Sequence, residues 1–195
     1  MPTDHAKEVL NANIADAMKN IESLQSQGDA LAQAATILTD SLKSGYKLLV
    51  CGNGGSSADA SHIVAEFVGR FVKERKGYPA IALSDAAGIV TAIGNDYGYE
   101  NVFARQVQAY GQAGDVLLAI STTGNSPNIV NALNTANKLG MKTISLLGRD
   151  GGKSKDLATV ELIVNHPTTA RVQEGQQLLY HTLCQIVDDE LQAPS

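Results

Sequence analysis

The chain reads Leu48-Leu49-Val50-Cys51-Gly52-Asn53-Gly54-Gly55-Ser56-Ser57 at the point that decides its fold: an apolar strand, a loop of glycine, asparagine and serine, and then an amphipathic helix. The same order recurs at Val116-Leu117-Leu118-Ala119-Ile120, which is followed by Ser121-Thr122-Thr123-Gly124-Asn125-Ser126. A loop of this kind places backbone N–H groups and small hydroxyls at the positive end of a helix dipole, where a phosphate binds well. Two such loops, neither carrying a lysine, predict a small phosphorylated ligand held by hydrogen bonds.

The first loop matches neither of the common nucleotide-binding patterns. It lacks the Gly-Lys-Ser/Thr ending of a P-loop, and Ser57 stands where the dinucleotide fingerprint needs its last glycine. A nucleotide is therefore disfavoured, and a phosphomonoester is the simplest anion left. The alternative for the first loop is a turn chosen only for tight packing. For the second loop the alternative is N-capping, although one cap explains only one of its four hydroxyls.

Strands and helices alternate around these loops. The strands are expected near 47–51, 80–84, 115–120, 142–147 and 160–165, and the helices near 57–71, 86–93, 99–110, 127–139 and 169–190. This alternation predicts an α/β fold with a doubly wound, five-stranded parallel sheet in the order 2-1-3-4-5. The two loops then face each other across the crevice between strands 1 and 3, at the carboxyl ends of the strands.

The first 45 residues predict two helices that precede the sheet. Leu10, Ile14, Met18 and Ile21 recur at helical spacing, and a second apolar stripe begins after a break and cap at Gly28-Asp29. No crossover needs these helices, so we expect them to form subunit contacts. The predicted organisation is one domain over residues 1–195, with N-terminal helices over 1–45 and an α/β sandwich over 46–195.

Composition limits the possible functions. The chain has 195 residues, 44% of them hydrophobic and 18% charged, and its net charge of −5 is spread along the sequence. It has no apolar run of roughly 18 residues and no secretory signal pattern, and its charge argues against general nucleic-acid binding. Cys51 and Cys184 match no metal or redox spacing, so we interpret them as core residues of a cytoplasmic protein.

Two of the predicted helices carry groups suited to proton transfer. His62 and Glu66 lie four residues apart on the helix after the first loop, and Gln173, Gln177 and His181 share one polar side of the last helix. A carboxylate and an imidazole near a phosphate crevice supply a general base and a general acid. The alternatives are a solvated helical pair for His62 and Glu66, and a surface histidine at position 181.

At these residues the chain resembles the sugar isomerase (SIS) domain family, and within it the phosphoheptose isomerases, with a flavodoxin-like SIS fold. The matching segments run from Cys51 to His62, from Ala65-Glu66 to Gly69-Arg70, from Ala92 to Gly98, from Gly114 to Ser126, and over Arg171-Val172-Gln173-Glu174 with His181. They occur in the family's order across nearly the whole chain, which makes the joint match far more specific than any single motif.

The resemblance implies an aldose–ketose isomerase that interconverts sedoheptulose 7-phosphate and D-glycero-D-manno-heptose 7-phosphate by enediol proton transfer, the first step of ADP-heptose synthesis for lipopolysaccharide core. It also implies a homotetramer with active sites between subunits. The implied acid/base pair is Glu66 and His181, and one zinc per subunit is held by His62, Glu66, Gln173 and His181. The implied substrate-binding residues are Asn53, Gly54, Gly55, Ser56, Glu66, Arg70, Asn95, Asp96, Ser121, Thr122, Thr123, Ser126 and Gln173.

The match departs from the family in two places, and two other functions compete with the isomerase. Thr123 replaces a common serine and keeps its hydroxyl, whereas Ala170 replaces an acidic residue of some members. Without the resemblance, the segment from Asn95 to Gly98 is better explained as a turn.

The main alternative function is a non-catalytic interaction module of the replication-initiator-associating type, which lacks the catalytic glutamate. The other is a sugar-phosphate-sensing regulatory domain.

Overall fold

The chain opens with two helices, α1 (Pro2–Ser23) and α2 (Gly28–Lys43), joined by a single 3-10 turn over Leu24–Gln27. The computed structural model describes residues 2–192, so residues 1 and 193–195 of the predicted domain lie outside it. The predicted break at Gly28-Asp29 is wrong by a few residues. Gly28 has φ −54° and ψ −46°, which is ordinary right-handed helix, and the change of direction falls in the turn before it.

Five parallel strands form the sheet: β1 (Leu48–Cys51), β2 (Ala80–Ala82), β3 (Val116–Ser121), β4 (Lys142–Gly148) and β5 (Val160–Val164). Their order is β2-β1-β3-β4-β5, which confirms the predicted topology. In the register of the central strands, Leu48 lies opposite Ala80 on one side and Val116 on the other. The carboxyl ends of β1 and β3 are therefore neighbours, and both glycine-containing loops leave from the same edge of the sheet.

The remaining helices are α3 (Gly55–Val68), α4 (Ala87–Tyr97), α5 (Val102–Tyr110), α6 (Pro127–Lys138) and α7 (Thr169–Gln192). Helix α3 starts two residues before the predicted position and stops at Gly69, so Phe71 lies beyond it. Helix α4 runs past the expected end, which places Asn95 and Asp96 in its last turn and Gly98 after it at φ +84°. A 3-10 turn at Tyr99–Asn101 then precedes α5.

Alternate strand residues point to opposite faces of the sheet, and each face has its own core. Leu48 and Val50 pack on the side of α2, α3 and α7, whereas Leu49 and Cys51 pack on the side of α5 and α6. Helices thus cover both faces, as a doubly wound sheet requires. Cys51 and Cys184 are free thiols and are buried, which agrees with their predicted place in the core. Within residues 2–192 no helix combines the length and apolar character needed to cross a bilayer.

Helix α1 is anchored to the start of α7 along one side. Asn20 Nδ2 donates to the Arg171 carbonyl oxygen at 2.7 Å, and Arg171 Nη1 donates to the Asn13 carbonyl oxygen at 2.9 Å. The predicted apolar stripe of α1 faces solvent in the isolated chain, with Leu10 58% exposed and Met18 60% exposed. Burying that stripe requires a surface that the described residues do not supply.

Candidate active site

The two glycine-containing loops meet where the sequence predicts. Asn53 and Ser56 from the first loop and Ser121, Thr122 and Ser126 from the second, together with Ile120, line a cavity of about 40 Å³ at the carboxyl edge of β1 and β3. The cavity is polar and suits one small anion rather than a nucleotide. The N-terminus of α3 begins at its rim, so the helix dipole favours a negative charge there.

Glycines shape the first loop. Gly54 has φ +56° and ψ −120°, a conformation that L side chains rarely adopt. A Cβ on Gly52 would overlap the backbone of Ser56 in the first turn of α3. The Ser57 N–H donates to the Gly54 carbonyl oxygen at 3.0 Å and closes the turn. The loop is thus a tight strand-to-helix turn that also forms one wall of the polar cavity.

The loop after β4 braces the second loop, a contact that the sequence analysis missed. Ser154 N–H donates to the Gly124 carbonyl oxygen at 2.9 Å, and Lys153 N–H donates to Asn125 Oδ1 at 3.1 Å. Ser121 Oγ accepts the Gly124 N–H at 3.0 Å. Ser126 occupies the N-cap of α6, but among the described residues its side chain makes no capping bond. The capping alternative therefore does not account for this hydroxyl.

Asn128 and Tyr99 hold the Asn53 side chain, and neither stood out in the sequence. The amides of Asn53 and Asn128 bond each other reciprocally, with N–O distances of 2.9 and 2.8 Å, and Asn128 is only 2% exposed. Tyr99 OH donates to Asn53 Oδ1 at 3.1 Å. The side chain of Asn53 is thereby fixed, and it orients the first loop against the start of α6.

His62, Glu66 and His181 come together between α3 and α7. One ligand atom from each lies within 4.8 Å of the others. His62 Nε2 is 3.1 Å from Glu66 Oε1, and the ring centroids of His62 and His181 are 5.0 Å apart. Glu66 is 19% exposed, so this carboxylate is not a freely solvated member of a helical pair. Two imidazoles and a carboxylate can exchange protons or bind a metal such as zinc.

Tyr180 orients His62 from the opposite side and was not predicted. Its hydroxyl lies 3.1 Å from His62 Nδ1 and 3.4 Å from Asp59 Oδ1. Burial raises the pKa of Asp59, although the hydrogen bond from Tyr180 and the charges of His62 and His181 act against that rise. Burial and the Asp59 charge raise the pKa of Tyr180 to about 12. The neutral phenol of Tyr180 therefore hydrogen-bonds His62 Nδ1, and His62 Nε2 faces Glu66.

His181 is tuned toward its neutral form. Burial lowers its pKa, and the neighbouring charge of His62 lowers it further, while Glu66 and Asp59 act in the opposite direction. A neutral imidazole can accept a proton or coordinate a metal, and a protonated one can do neither. The described geometry thus fits either of the roles predicted for His181.

Gln173 lies apart from the His62–Glu66–His181 group. It precedes His181 by eight residues on α7, about 12 Å along the helix axis. Its amide nitrogen lies against Gly55, at the position a Cβ on that glycine would take. Gln173 therefore borders the first loop in this arrangement.

Three other predicted substrate-binding residues lie on the surface. Arg70 is exposed, donates to the Val72 carbonyl oxygen at 2.9 Å and lies 3.7 Å from a Glu74 carboxylate oxygen. Asn95 Nδ2 donates to Asp96 Oδ1 at 2.8 Å, and both residues are exposed. Neither Asn95 nor Asp96 lines the cavity between the two loops.

The cavity between the two loops lies at the start of α3, whereas Glu66 lies near the end of this helix. Glu66 is eleven residues from Gly55, about 16 Å along the helix axis. The predicted helix start at residue 57 would place Glu66 nine residues, or roughly 13 Å, into the helix, and the observed span is longer because α3 begins at Gly55. A seven-carbon sugar phosphate that is anchored at the loops of the same chain therefore covers a smaller part of the distance to Glu66 than the predicted helix start suggests.

Comparison with known proteins gives a consistent result. A family model described as the SIS domain matches residues 11–148. The phosphoheptose isomerase of Aliarcobacter butzleri (strain RM4018) is 52% identical over 173 residues, covering 89% of this chain and 90% of that protein. A solved phosphoheptose isomerase from Neisseria gonorrhoeae is 42% identical with a TM-score of 0.88, covering 94% of this chain and 99% of that one. One from Francisella tularensis is 37% identical with a TM-score of 0.90, covering 94% and 98%.

Proposed function

Because the chain belongs to the SIS-domain family and, within it, to the phosphoheptose isomerases, we propose that it interconverts sedoheptulose 7-phosphate and D-glycero-D-manno-heptose 7-phosphate. It is an aldose–ketose isomerase, and the reaction moves a proton between C1 and C2 through an enediol. The observation that carries the proposal is the convergence of Glu66 and His181, from two different helices, on one half-buried group. An interaction module has no need of this arrangement.

The two loops bind the substrate phosphate in this proposal. The backbone N–H groups of Gly54 and Gly55, the Ser56 side chain and the hydroxyls of the second loop surround the anion. The cavity between the loops and the α3 dipole support this assignment. Asn53 fixes the loop through Asn128, and Gln173 borders the site at Gly55. Arg70, Asn95 and Asp96 are assigned to the sugar on the family resemblance alone.

Glu66 acts as the base. It removes a proton from C1 of the ketose and returns it to C2, while His181 passes a proton from the C1 hydroxyl oxygen to the C2 carbonyl oxygen. Each group ends the cycle in its starting state, so the sequence of transfers balances. The lowered pKa of His181 supports the shuttle, because a neutral imidazole accepts a proton and returns it readily near neutral pH.

Zinc is the proposed metal, one ion per subunit, with His62, Glu66 and His181 as ligands. The family resemblance adds Gln173 as a fourth ligand, but this chain holds Gln173 against Gly55, about 12 Å along α7 from His181, and so does not itself bring it to the other three. The donor set of two imidazoles and a carboxylate fits zinc, whereas an amide is an uncommon ligand. A bound zinc ion polarises sugar oxygens and holds them in place. A carboxylate bound to zinc is not a free base, so the two roles of Glu66 compete. Conversion of sedoheptulose 7-phosphate by chelator-treated protein, with and without added zinc, measures which role dominates.

A homotetramer with sites shared between subunits is also part of the proposal. The exposed apolar stripe of α1 supports association. The span of about 16 Å between Gly55 and Glu66 supports a shared site, because a second subunit can bring a catalytic pair closer to the bound phosphate. We place the reaction in the cytoplasm, in a single SIS domain over 1–195, as the first step of ADP-heptose synthesis for lipopolysaccharide core.

The decisive experiment is Glu66→Gln. Glutamine keeps the shape of the side chain and loses the basicity, so we expect kcat to fall at least about 100-fold while the circular dichroism spectrum stays unchanged. Glu190→Gln, which alters an exposed carboxylate on α7, serves as the control and should keep full activity. Near-normal turnover by the Glu66→Gln protein would refute Glu66 as the base, whereas wild-type protein that does not convert sedoheptulose 7-phosphate would favour the interaction-module function.

A further inference from the structure

Helix α3 ends beside its catalytic glutamate, and its last carbonyl groups need hydrogen-bond donors. The last turn of α3 contains no basic residue. Arg75, in the connection from α3 to β2, reaches back to supply the donors. Its Nη2 donates to the Glu66 carbonyl oxygen at 2.6 Å, and its Nη1 donates to the Phe67 carbonyl oxygen at 3.0 Å. The guanidinium thus caps α3 at the residue whose side chain is the proposed base.

Arg75 is tied at the same time to α7. Its Nε forms an ion pair with Asp188 Oδ1, and the two side chains are only 5% and 4% exposed. Asp188 follows His181 by seven residues, which is two turns of the same helix. A single buried guanidinium therefore bonds the main chain at Glu66 and a carboxylate on the helix that carries His181.

A second ion pair also joins the α3–β2 connection to α7, but it is exposed to solvent. Lys73 Nζ lies 3.0 Å from Asp189 Oδ1, and the two side chains are 60% and 53% exposed. Exposed pairs of this kind contribute little, because water screens both charges. The chain thus contains its own control for the effect of a salt bridge between this connection and α7.

We propose that Arg75 and Asp188 form a clamp that sets the position of Glu66 on α3 relative to His181 on α7, and that both are positioning residues for the proton transfer. This inference rests on the proposed roles of Glu66 and His181. Neither Arg75 nor Asp188 needs to touch the substrate. The planar fork of the guanidinium reaches several acceptors at once, which a lysine ammonium cannot do with the same geometry.

The first test is Arg75→Lys, with Lys73→Met as the matched control. Lysine keeps the charge beside Asp188 and loses the fork to the Glu66 and Phe67 carbonyl groups. We expect kcat for sedoheptulose 7-phosphate to fall about tenfold or more, while KM stays within about twofold because the phosphate loops lie at the other end of α3. Lys73→Met should match the wild type in both constants.

The second test separates positioning from stability. In Arg75→Met/Asp188→Leu both charges are removed together, so no unpaired charge is left buried and the protein is expected to fold. The clamp predicts that this double variant has a low kcat even when it is assayed well below its Tm, where it is folded. It also predicts about tenfold weaker binding of Zn²⁺ alone to the chelator-treated protein, measured by competition with a chromogenic chelator. Wild-type kcat and Zn²⁺ affinity in the folded double variant would overturn the clamp.

Glu66→Gln, measured in the same assay, keeps the two hypotheses apart. If Glu66→Gln is inactive and the clamp variants are fully active, only the clamp is refuted. If Glu66→Gln is itself fully active, the catalytic assignment of Glu66 fails, and the clamp fails with it because Glu66 then needs no positioning.

Discussion

Ser121 and Ser126 present hydroxyls to the same cavity but differ in their internal bonds. Ser121 Oγ accepts the Gly124 N–H, whereas the Ser126 side chain makes no capping bond among the described residues. A hydroxyl bonded to a charged phosphate contributes roughly 1.5–3 kcal/mol. We therefore expect Ser126→Ala to lower kcat/KM about 10- to 150-fold at unchanged Tm. Ser121→Ala should lower both kcat/KM and Tm.

Steady-state kinetics and thermal unfolding measure both effects. Ser26→Ala is the control, because Ser26 is exposed and its side chain donates to the Ser23 carbonyl oxygen of its own turn. Unchanged kcat and KM in both loop variants would remove these hydroxyls from the phosphate site.

Cys184 makes stability depend on pH in the alkaline range. Burial raises its pKa from 9.0 to about 12, and the Glu66 charge acts in the same direction. Between these two values the unfolded chain loses a proton that the folded chain keeps, so the free energy of unfolding falls as pH rises above about 9. Burial raises the pKa of Cys51 as well. Urea unfolding at pH 8 and pH 10 should show the fall, and Cys184→Ala should reduce it; an equal fall in both proteins would contradict the assignment.

Single residues also mark the limit of what the sequence predicts. The spacing of His62 and Glu66 was visible because four residues make one helical turn. The groups that hold the site are far apart in the chain: Asn53 and Asn128 by 75 residues, His62 and Tyr180 by 118, Arg75 and Asp188 by 113. No local pattern relates such positions, since only the packing of complete elements brings them together.

At the scale of elements, the loops after β3 and β4 depend on each other. Gly124 has φ +64°, and a Cβ there would overlap the Gly151 carbonyl oxygen. We expect Gly124→Ala to lower stability by about 2 kcal/mol or more, since backbone rather than a flexible side chain must move. Gly28→Ala is the matched control, because Gly28 has helical dihedrals and open space around it, and alanine there should raise stability by up to about 1 kcal/mol. Thermal unfolding of both variants checks the contrast; equal Tm values would refute it.

The sequence predicted the elements better than their ends. The alternation of strands and helices was sufficient to predict the five strands and their order in the sheet. The predicted helix ends were wrong where contacts with residues outside the helix determine where it stops. Helix α3 stops at Gly69, and its last carbonyl groups are capped by Arg75 from the following connection. Helix α4 continues through Asn95 and Asp96, which local turn chemistry alone had assigned to a turn.

For the whole molecule, the exposed apolar stripe of α1 predicts that copies of the chain associate through it. A charged substitution in the stripe should weaken this association. Leu10 is 58% exposed, and Leu10→Glu places a carboxylate where a partner surface should cover it. We expect light scattering at micromolar concentration to give a smaller particle than for the wild type, with lower activity if the site is shared. Ala12→Glu is the control, because residue 12 lies on the opposite side of the helix at about 100° per residue. A monomeric wild type would contradict this prediction.

The way in which the two ends of the chain meet has a consequence for synthesis on the ribosome. The apolar side of α2 packs against α7, and Asn20 bonds the Arg171 carbonyl group, 151 residues later. Translation proceeds at about 5–20 residues per second, so α2 waits roughly 6 to 25 s for the first turn of α7. During that interval the nascent polypeptide exposes Leu31, Leu38 and Leu42, which the finished protein buries. The emerging chain therefore offers a transient binding site for the chaperones that meet it.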